Sequence, residues 1–333
     1  MNKFMNNLIV GDLHLKDNLT YSDYVKDRRE SEKRKVLNCI IDNAKDCNNV
    51  IFLGDQLNSK INSAKVLKDF VNFIEKFENK ELFFLAGNHE TMADGKTSLD
   101  FINEIKNKNW HVISNKIESN EVGTFCPYLT KQSLGVNTNE EGAKKIMKEL
   151  SGGTFLFAHH AISDTLTSSG QNTNLFNEIV LPKKELEKRY EGIFGGHIHK
   201  PQNNGKTIIA GSVFTHEMGE IEKFIWKTDG QKVEKIKLPI RGIYKVENID
   251  DLNNIPKNSI IKFIMKEKQS LIKLKERLEE FDAYLIVEKI PTLREIKYHE
   301  NILDYSVEKL LEIYSKDRNI DIKLLLNGFE LIK

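Results

Sequence analysis

Five short apolar runs, each ending in a cluster of metal-binding residue types, constrain this chain more than any other feature. The runs are NLIV (7–10), VIFL (50–53), LFFLA (82–86), TFLFA (154–158) and GIFGG (192–196). They are β-branched or aromatic and lack an alternating polar face, which predicts strands covered on both sides. Amphipathic helices are predicted between them. Val36, Leu37, Ile40, Ile41 and Ala44 share one face, and Leu67, Phe70, Val71, Ile74 and Phe77 share another. This alternation predicts a layered α/β core. Open α/β sheets bind ligands at the carboxyl ends of their strands. The polar clusters fall there: Gly11-Asp12-Leu13-His14, Gly54-Asp55, Gly87-Asn88-His89-Glu90, His159-His160 and Gly196-His197-Ile198-His199.

Asp, His and Asn without Cys form a borderline-to-hard donor set, suited to manganese, iron or zinc. Asp12, His14, Asp55, Asn88, one of His159 and His160, His197 and His199 are too many for one ion. They match two ions sharing a bridging carboxylate, the arrangement that activates water for an in-line phosphoryl displacement. Each fragment alone has a plainer explanation: a turn Asp beside a surface His, an ordinary Gly-Asp turn, a structural His pair. Their recurrence in order, each after a strand, favours one shared site. Neighbouring side chains on an extended backbone point to opposite sides, so one of His159 and His160 enters the site and the other does not.

The formal charge is only +1 although 30% of residues are charged, so any nucleic-acid surface has to be a local patch. Arg28, Arg29, Lys33, Arg34 and Lys35 form one candidate, and Lys183, Lys184, Lys188 and Arg189 another. Interleaved Glu30, Glu32, Glu185 and Glu187 make a solvated helix face an equal explanation. Cys39, Cys47 and Cys126 are scattered, which argues against a disulfide framework or zinc ribbon and fits a reducing compartment. The N-terminal apolar stretch is too short for a signal peptide and no run is long enough to span a membrane, so a soluble intracellular protein is expected. His111 and His299 lie outside the clusters and read as structural. His216 lies close to the last one, as a candidate substrate contact or a satisfied loop residue. The polar segment 163–174 reads as a mobile connection or a substrate loop.

Beyond residue 206 antiparallel strands are expected, with a hairpin at Asp229-Gly230, then a loop-rich boundary over 240–258. A β-α-β unit follows: a strand over 259–266, a helix marked by Leu271, Leu274, Leu278 and Phe281 with Ser270 as its cap, and a strand over 283–290. Val307, Leu310, Leu311 and Tyr314 mark a last helix, and the apolar tail 321–332 either packs back or meets a partner. Two regions are therefore expected, 1–240 and 241–333.

The motifs GDLH, GD, GNHE, AHH and GGHIH resemble the five motifs of the calcineurin-like metallophosphoesterases. Within that superfamily the chain is similar to the SbcD-type DNA-repair nucleases, which include phage recombination-endonuclease subunits. GHIHKPQ, AGSVFTHEMGE (210–220) and the later β-α-β unit carry that finer likeness. The resemblance implies a four-layer sandwich, two β-sheets flanked by helices, with a small α+β capping domain. It implies a two-metal phosphodiesterase, a DNA exonuclease and endonuclease in end processing, repair or recombination. It also implies Mn²⁺ as the metal, DNA and an SMC-like SbcC-type ATPase as partners, homodimerisation, and a place in the cytoplasm of a bacterium or phage-infected host.

Carried over residue by residue, Asp12, His14, Asp55 and His199 would hold one ion, and Asp55, Asn88, His159 and His197 the other. His89 matches the family's non-ligand histidine, expected to act on the leaving 3′ oxygen. Glu90 is expected to support the ligands from behind. Asn58 stands where G-D-x-x-D would place an acid, which puts metal preference or rate in question. His160 falls beside the site as a substrate contact or packing residue. The alternative is a small-molecule or nucleotide phosphodiesterase or phosphatase of the same superfamily. GDQLNSK lacks the Arg-Gly of its protein phosphatases, and a scaffold that has lost catalysis would not be expected to keep every ligand.

Overall fold

The computed structural model describes residues 6–25, 29–92, 96–105, 107–217, 219–265, 271–288, 307–318 and 321–323. The strand Asn7–Val10, buried at every position, is central because it has no polar face to show water. It pairs in parallel with Asn49–Phe52, which pairs with Glu81–Leu85, which pairs with Trp110–Ile113. On its other side lies the hairpin Phe224–Thr228 and Val233–Lys237, which turns at Asp229-Gly230 as expected. A second six-stranded sheet runs in the order Gln202–Asn204, Thr207–Ile209, Tyr190–Gly195, Gly153–Ala158, Thr124–Cys126, Glu118–Ser119.

Period two sorts the side chains into layers. Ile9, Ile51, Leu53, Phe83 and Leu85 meet Phe125, Phe155, Phe157 and Phe194 between the sheets. Leu8, Val10, Phe52 and Phe84 face the helices Glu30–Ala44 and Ala64–Ile74 through Val36, Ile40, Phe70 and Ile74. Leu156 and Ile193 face Asn139–Glu149 and Lys183–Arg189 through Ile146, Met147 and Leu186. The result is helix, sheet, sheet, helix.

The five apolar runs divide as a two-sheet sandwich implies: three lie in the first sheet and two in the second, and the carboxyl ends of both converge. Two points differ from the sequence reading. Thr207–Ile209 runs parallel to Tyr190–Gly195 and antiparallel only to Gln202–Asn204, from which it returns through a turn at Gly205 (φ +75°). Ile243–Val246, inside the expected loop-rich boundary, is the first strand of a three-stranded parallel sheet with Ile260–Met265 and Ala283–Glu288. Four residues followed by a polar 3₁₀ segment, Ile249–Asn254, hide a strand whose apolar weight comes from Ile243 and Val246.

That small sheet has its own core of Val246, Leu252, Ile261, Phe263, Leu274 and Leu278, with the expected helix at Leu271–Leu278. Residues 1–289 pack as one unit; 290–333 form another, described by its helix Val307–Arg318. Arg28, Ser270, His299 and the tail from 324 lie outside the described residues. Among the described residues no helix is long and apolar enough to cross a membrane.

Candidate metal centre

Beyond the first two strands the chain continues to pair: His14 N donates to Asp55 O at 2.8 Å and Leu15 N to Gln56 O at 2.9 Å. The first two motif loops therefore lie side by side. His14, Asp55 and His197 all take left-handed backbone, with φ of 44°, 52° and 71°. Such a conformation costs a non-glycine residue about 1–3 kcal/mol and persists where the surroundings enforce it, commonly at functional sites. Two glycines make the close approach feasible. A Cβ at Gly54 (φ +112°) would lie 2.0 Å from His159 Nδ1, and one at Gly87 would lie 2.0 Å from Asp55 Oδ1.

The donors gather in two groups. In one, His14 Nε2 is 3.0 Å from His199 Nε2 and 3.6 Å from Asp55 Oδ2, and His199 Nε2 is 3.9 Å from Asp12 Oδ2. In the other, Asn88 Oδ1 is 3.1 Å from His159 Nε2 and 2.9 Å from His197 Nδ1, and His159 Nε2 is 3.5 Å from Asp55 Oδ2. Donors each about 2.0–2.2 Å from a divalent ion stand roughly 3–3.5 Å apart, so these spacings fit two ions. Asp55 Oδ2 belongs to both groups.

The electrostatics call for added positive charge. Asp12 and Glu90 are fully buried, and Asp55 nearly so. Burial and then the neighbouring Asp55 charge raise Asp12 well above the usual carboxylate range and push Glu90 up to about 8. Burial also pushes Asp55 upward, but His159, by charge and hydrogen bond, and then His14 bring it far below the usual range. Burial lowers His14 strongly and takes His199 to about 4 despite Glu220 nearby. Neutral imidazoles are the metal-binding form. Asp12 Oδ2 and His14 Nδ1, both buried, have no hydrogen-bond partner. On donor type, spacing and the unpaired Asp12 Oδ2, the residues fit a two-ion centre.

Glu90 faces inward. It accepts from Asp55 N (3.1 Å), Leu57 N (2.8 Å) and Gly87 N (2.9 Å), lacing the second and third motif loops together. His89 sits at the mouth, its side chain 43% exposed, with Nε2 4.0 Å from Asp55 Oδ2. Its Nδ1 meets the Asn58 carbonyl at 2.9 Å, so Asn58 reaches this site through its backbone. His159 points into the centre. His160 turns away from the donors: its Nε2 accepts from Leu129 N at 3.1 Å and its ring stacks on Tyr128. His216 lines the centre, 5.1 Å from His14 and 5.5 Å from His199 between ring centroids.

Two acids outside the proposed ligand set stand behind the H-x-H histidines. Glu178 meets His197 Nε2 at 2.9 Å, and Glu220 lies 3.7 Å from His199 Nδ1 and 3.1 Å from Lys223 Nζ. Only the Gly-Glu of AGSVFTHEMGE offered a signal, for Glu220. Arg29 and Lys33, candidates for DNA contact, are buried instead. Arg29 donates to both oxygens of Glu32, while Lys183 pairs with Glu187 along its helix. The segment 163–174, expected to be mobile, is pinned by a two-way bond between Leu166 and Gln202. His111 pairs with Glu81 and stacks on Phe83.

A model of the calcineurin-like phosphoesterase family matches residues 5–201, the stretch that carries every proposed ligand. No curated protein is similar enough to the chain to count as a match. With more than half of its length inside that match, and a two-sheet sandwich delivering Asp, Asn and His donors to one edge, the chain belongs to the calcineurin-like phosphoesterases, a family of metal-dependent hydrolases.

Proposed function

We propose that the chain is the nuclease subunit of a DNA end-processing machine. It would be a two-metal exonuclease and endonuclease of repair or recombination, working in the cytoplasm with an SbcC-type ATPase. In this reading Asp12, His14, Asp55 and His199 hold one divalent ion and Asp55, Asn88, His159 and His197 the other, with Mn²⁺ the first candidate. When bound, such a pair supplies Lewis acidity, neutralising phosphate charge and making water more acidic. The chain supplies orientation and protons. The His89 Nδ1 proton is committed to the Asn58 carbonyl, so Nε2, 4.0 Å from Asp55 Oδ2, carries a proton only as imidazolium. That form can give its proton to a departing 3′ oxygen.

The observation that supports a polymeric substrate is the small three-stranded sheet with its helix, tied toward the centre through charged side chains. Arg241 donates to Glu32 through its backbone N (2.7 Å) and side chain (2.9 and 3.0 Å), and to Asp282 beside the third strand of the small sheet. Glu32 also holds Arg29, whose Nη2 donates to Thr215 Oγ1 at 2.7 Å, one residue before His216. Such a coupled unit suits a substrate long enough to touch both. A division into a nuclease domain over 1–240 and a capping and partner-binding region over 241–333, with homodimerisation, belongs to the same proposal.

The test is hydrolysis of linear duplex DNA by the purified chain with Mn²⁺, beside nucleoside cyclic phosphates and bis(p-nitrophenyl) phosphate. Cleavage of DNA that falls in His89→Ala supports the reading. Turnover of the small esters with none of DNA would overturn it in favour of a small-molecule phosphodiesterase.

A further inference from the structure

We infer that Glu178 is a positioning residue for His197, fixing the proton on its ring and thereby the strength of one of the two metal sites. The inference rests on the two-ion reading above. His197 Nδ1 faces the donor group, 2.9 Å from Asn88 Oδ1, while its Nε2 lies 2.9 and 3.1 Å from the two oxygens of Glu178. With Nδ1 turned toward an ion, the ring proton sits on Nε2 and is donated to the carboxylate. Such a partner holds the ring's orientation and makes its other nitrogen a better donor.

The remaining imidazoles are backed differently. His159 Nδ1 meets the Leu53 carbonyl at 2.7 Å, His199 Nδ1 lies 3.7 Å from Glu220, and His14 Nδ1 has no partner. Among the described ligand histidines, His197 is the one whose nitrogen turned away from the donor group meets a carboxylate at hydrogen-bond distance.

Glu178 is held in place for this task. The adjoining Ile179 is buried over Gly142, where a Cβ would lie 2.6 Å from Ile179 Cδ1. Glycine inside a helix costs about 1 kcal/mol relative to alanine, and the approach of Ile179 is the reason for it here. Asn177 Oδ1 accepts from Asn139 Nδ2 at 3.2 Å on the same helix.

The experiment is Mn²⁺ calorimetry on the full chain, with histidine ¹⁵N spectra of the ion-free protein. Glu178→Ala should weaken one of two sites by about 10–100-fold, leave the other near wild type, and shift His197 away from the Nε2–H tautomer. Glu178→Gln, whose amide oxygen accepts the same proton, should restore both readouts. A Glu178→Ala chain that binds both ions like wild type with an unchanged His197 tautomer overturns the inference. A wild-type chain that takes up no Mn²⁺ overturns the two-ion reading instead, and the tautomer in the ion-free protein still judges Glu178.

Discussion

Replacing Gly87 with alanine leaves every proposed ligand in the chain yet should disable the centre. The added Cβ would lie 2.0 Å from Asp55 Oδ1 and 2.4 Å from Asp55 N, where such atoms essentially never come within 3.0 Å of a neighbour. The Asp55 carboxylate must retreat by about 1 Å, a misplacement that costs on the order of 10²-fold in rate at a catalytic site. It has little freedom to do so harmlessly, because Oδ1 accepts from His89 N at 2.9 Å and Asp55 N is held by Glu90. Losing a hydrogen bond to a charged group costs about 1.5–3 kcal/mol, against a typical total stability of about 5–15 kcal/mol, so the variant stays folded. Because Asp55 Oδ2 is the donor common to both groups, both ions should weaken together. Mn²⁺ calorimetry, with hydrolysis of bis(p-nitrophenyl) phosphate in parallel, reads this. Wild-type affinity at both sites would refute the steric argument, and loss at one site alone would refute the shared carboxylate.

Other outcomes follow from the same geometry. His159→Ala should lose metal by elemental analysis; His160→Ala should keep it but lose about 1–3 kcal/mol of stability in urea, because the buried Leu129 N–H loses its acceptor. His89→Ala should retain both ions while kcat falls by about 10²–10⁴-fold, the usual range for a general acid. Arg241→Ala should loosen the small sheet by on the order of 1–3 kcal/mol, less than a fully buried pair because Arg241 is partly exposed. Faster hydrogen exchange over 243–288 would register it. Burial pushes Glu32 upward, but Arg29 and Arg241 bring it below its ordinary value of 4.5. Its contribution to stability is thus present above that value and lost as pH falls through the lowered one. Glu32→Gln should be less stable at neutral pH and lose less on acidification, and parallel acid-unfolding curves would contradict this.

The layered core and the centre were legible in the sequence to different depths, for physical reasons. Strands buried on both faces read as unbroken apolar runs, and their exits carried the donor residues, so Asp12, Asp55 and the H-x-H pair stood out locally. The choice between His159 and His160 needed only side-chain alternation and the resemblance, and the structure turns them to opposite sides. What local reading could not supply was long-range. Which strands share a sheet is decided by pairing, and Thr207–Ile209 took a parallel neighbour from 190–195. Glu178 sits between Phe176 and Ile179 with no motif beside it, and only the folded chain brings it to His197. Arg29 and Lys33 looked like surface cations because charge on a helix usually is, yet Glu32 and Thr215 draw Arg29 inward.

The central claim is that two ions share Asp55. Anomalous diffraction from crystals soaked in Mn²⁺ tests it most directly. The account predicts two peaks about 3.5–4 Å apart: one among Asp12, His14, Asp55 and His199, the other among Asp55, Asn88, His159 and His197. A single peak, or a pair with no ligand in common, would contradict it.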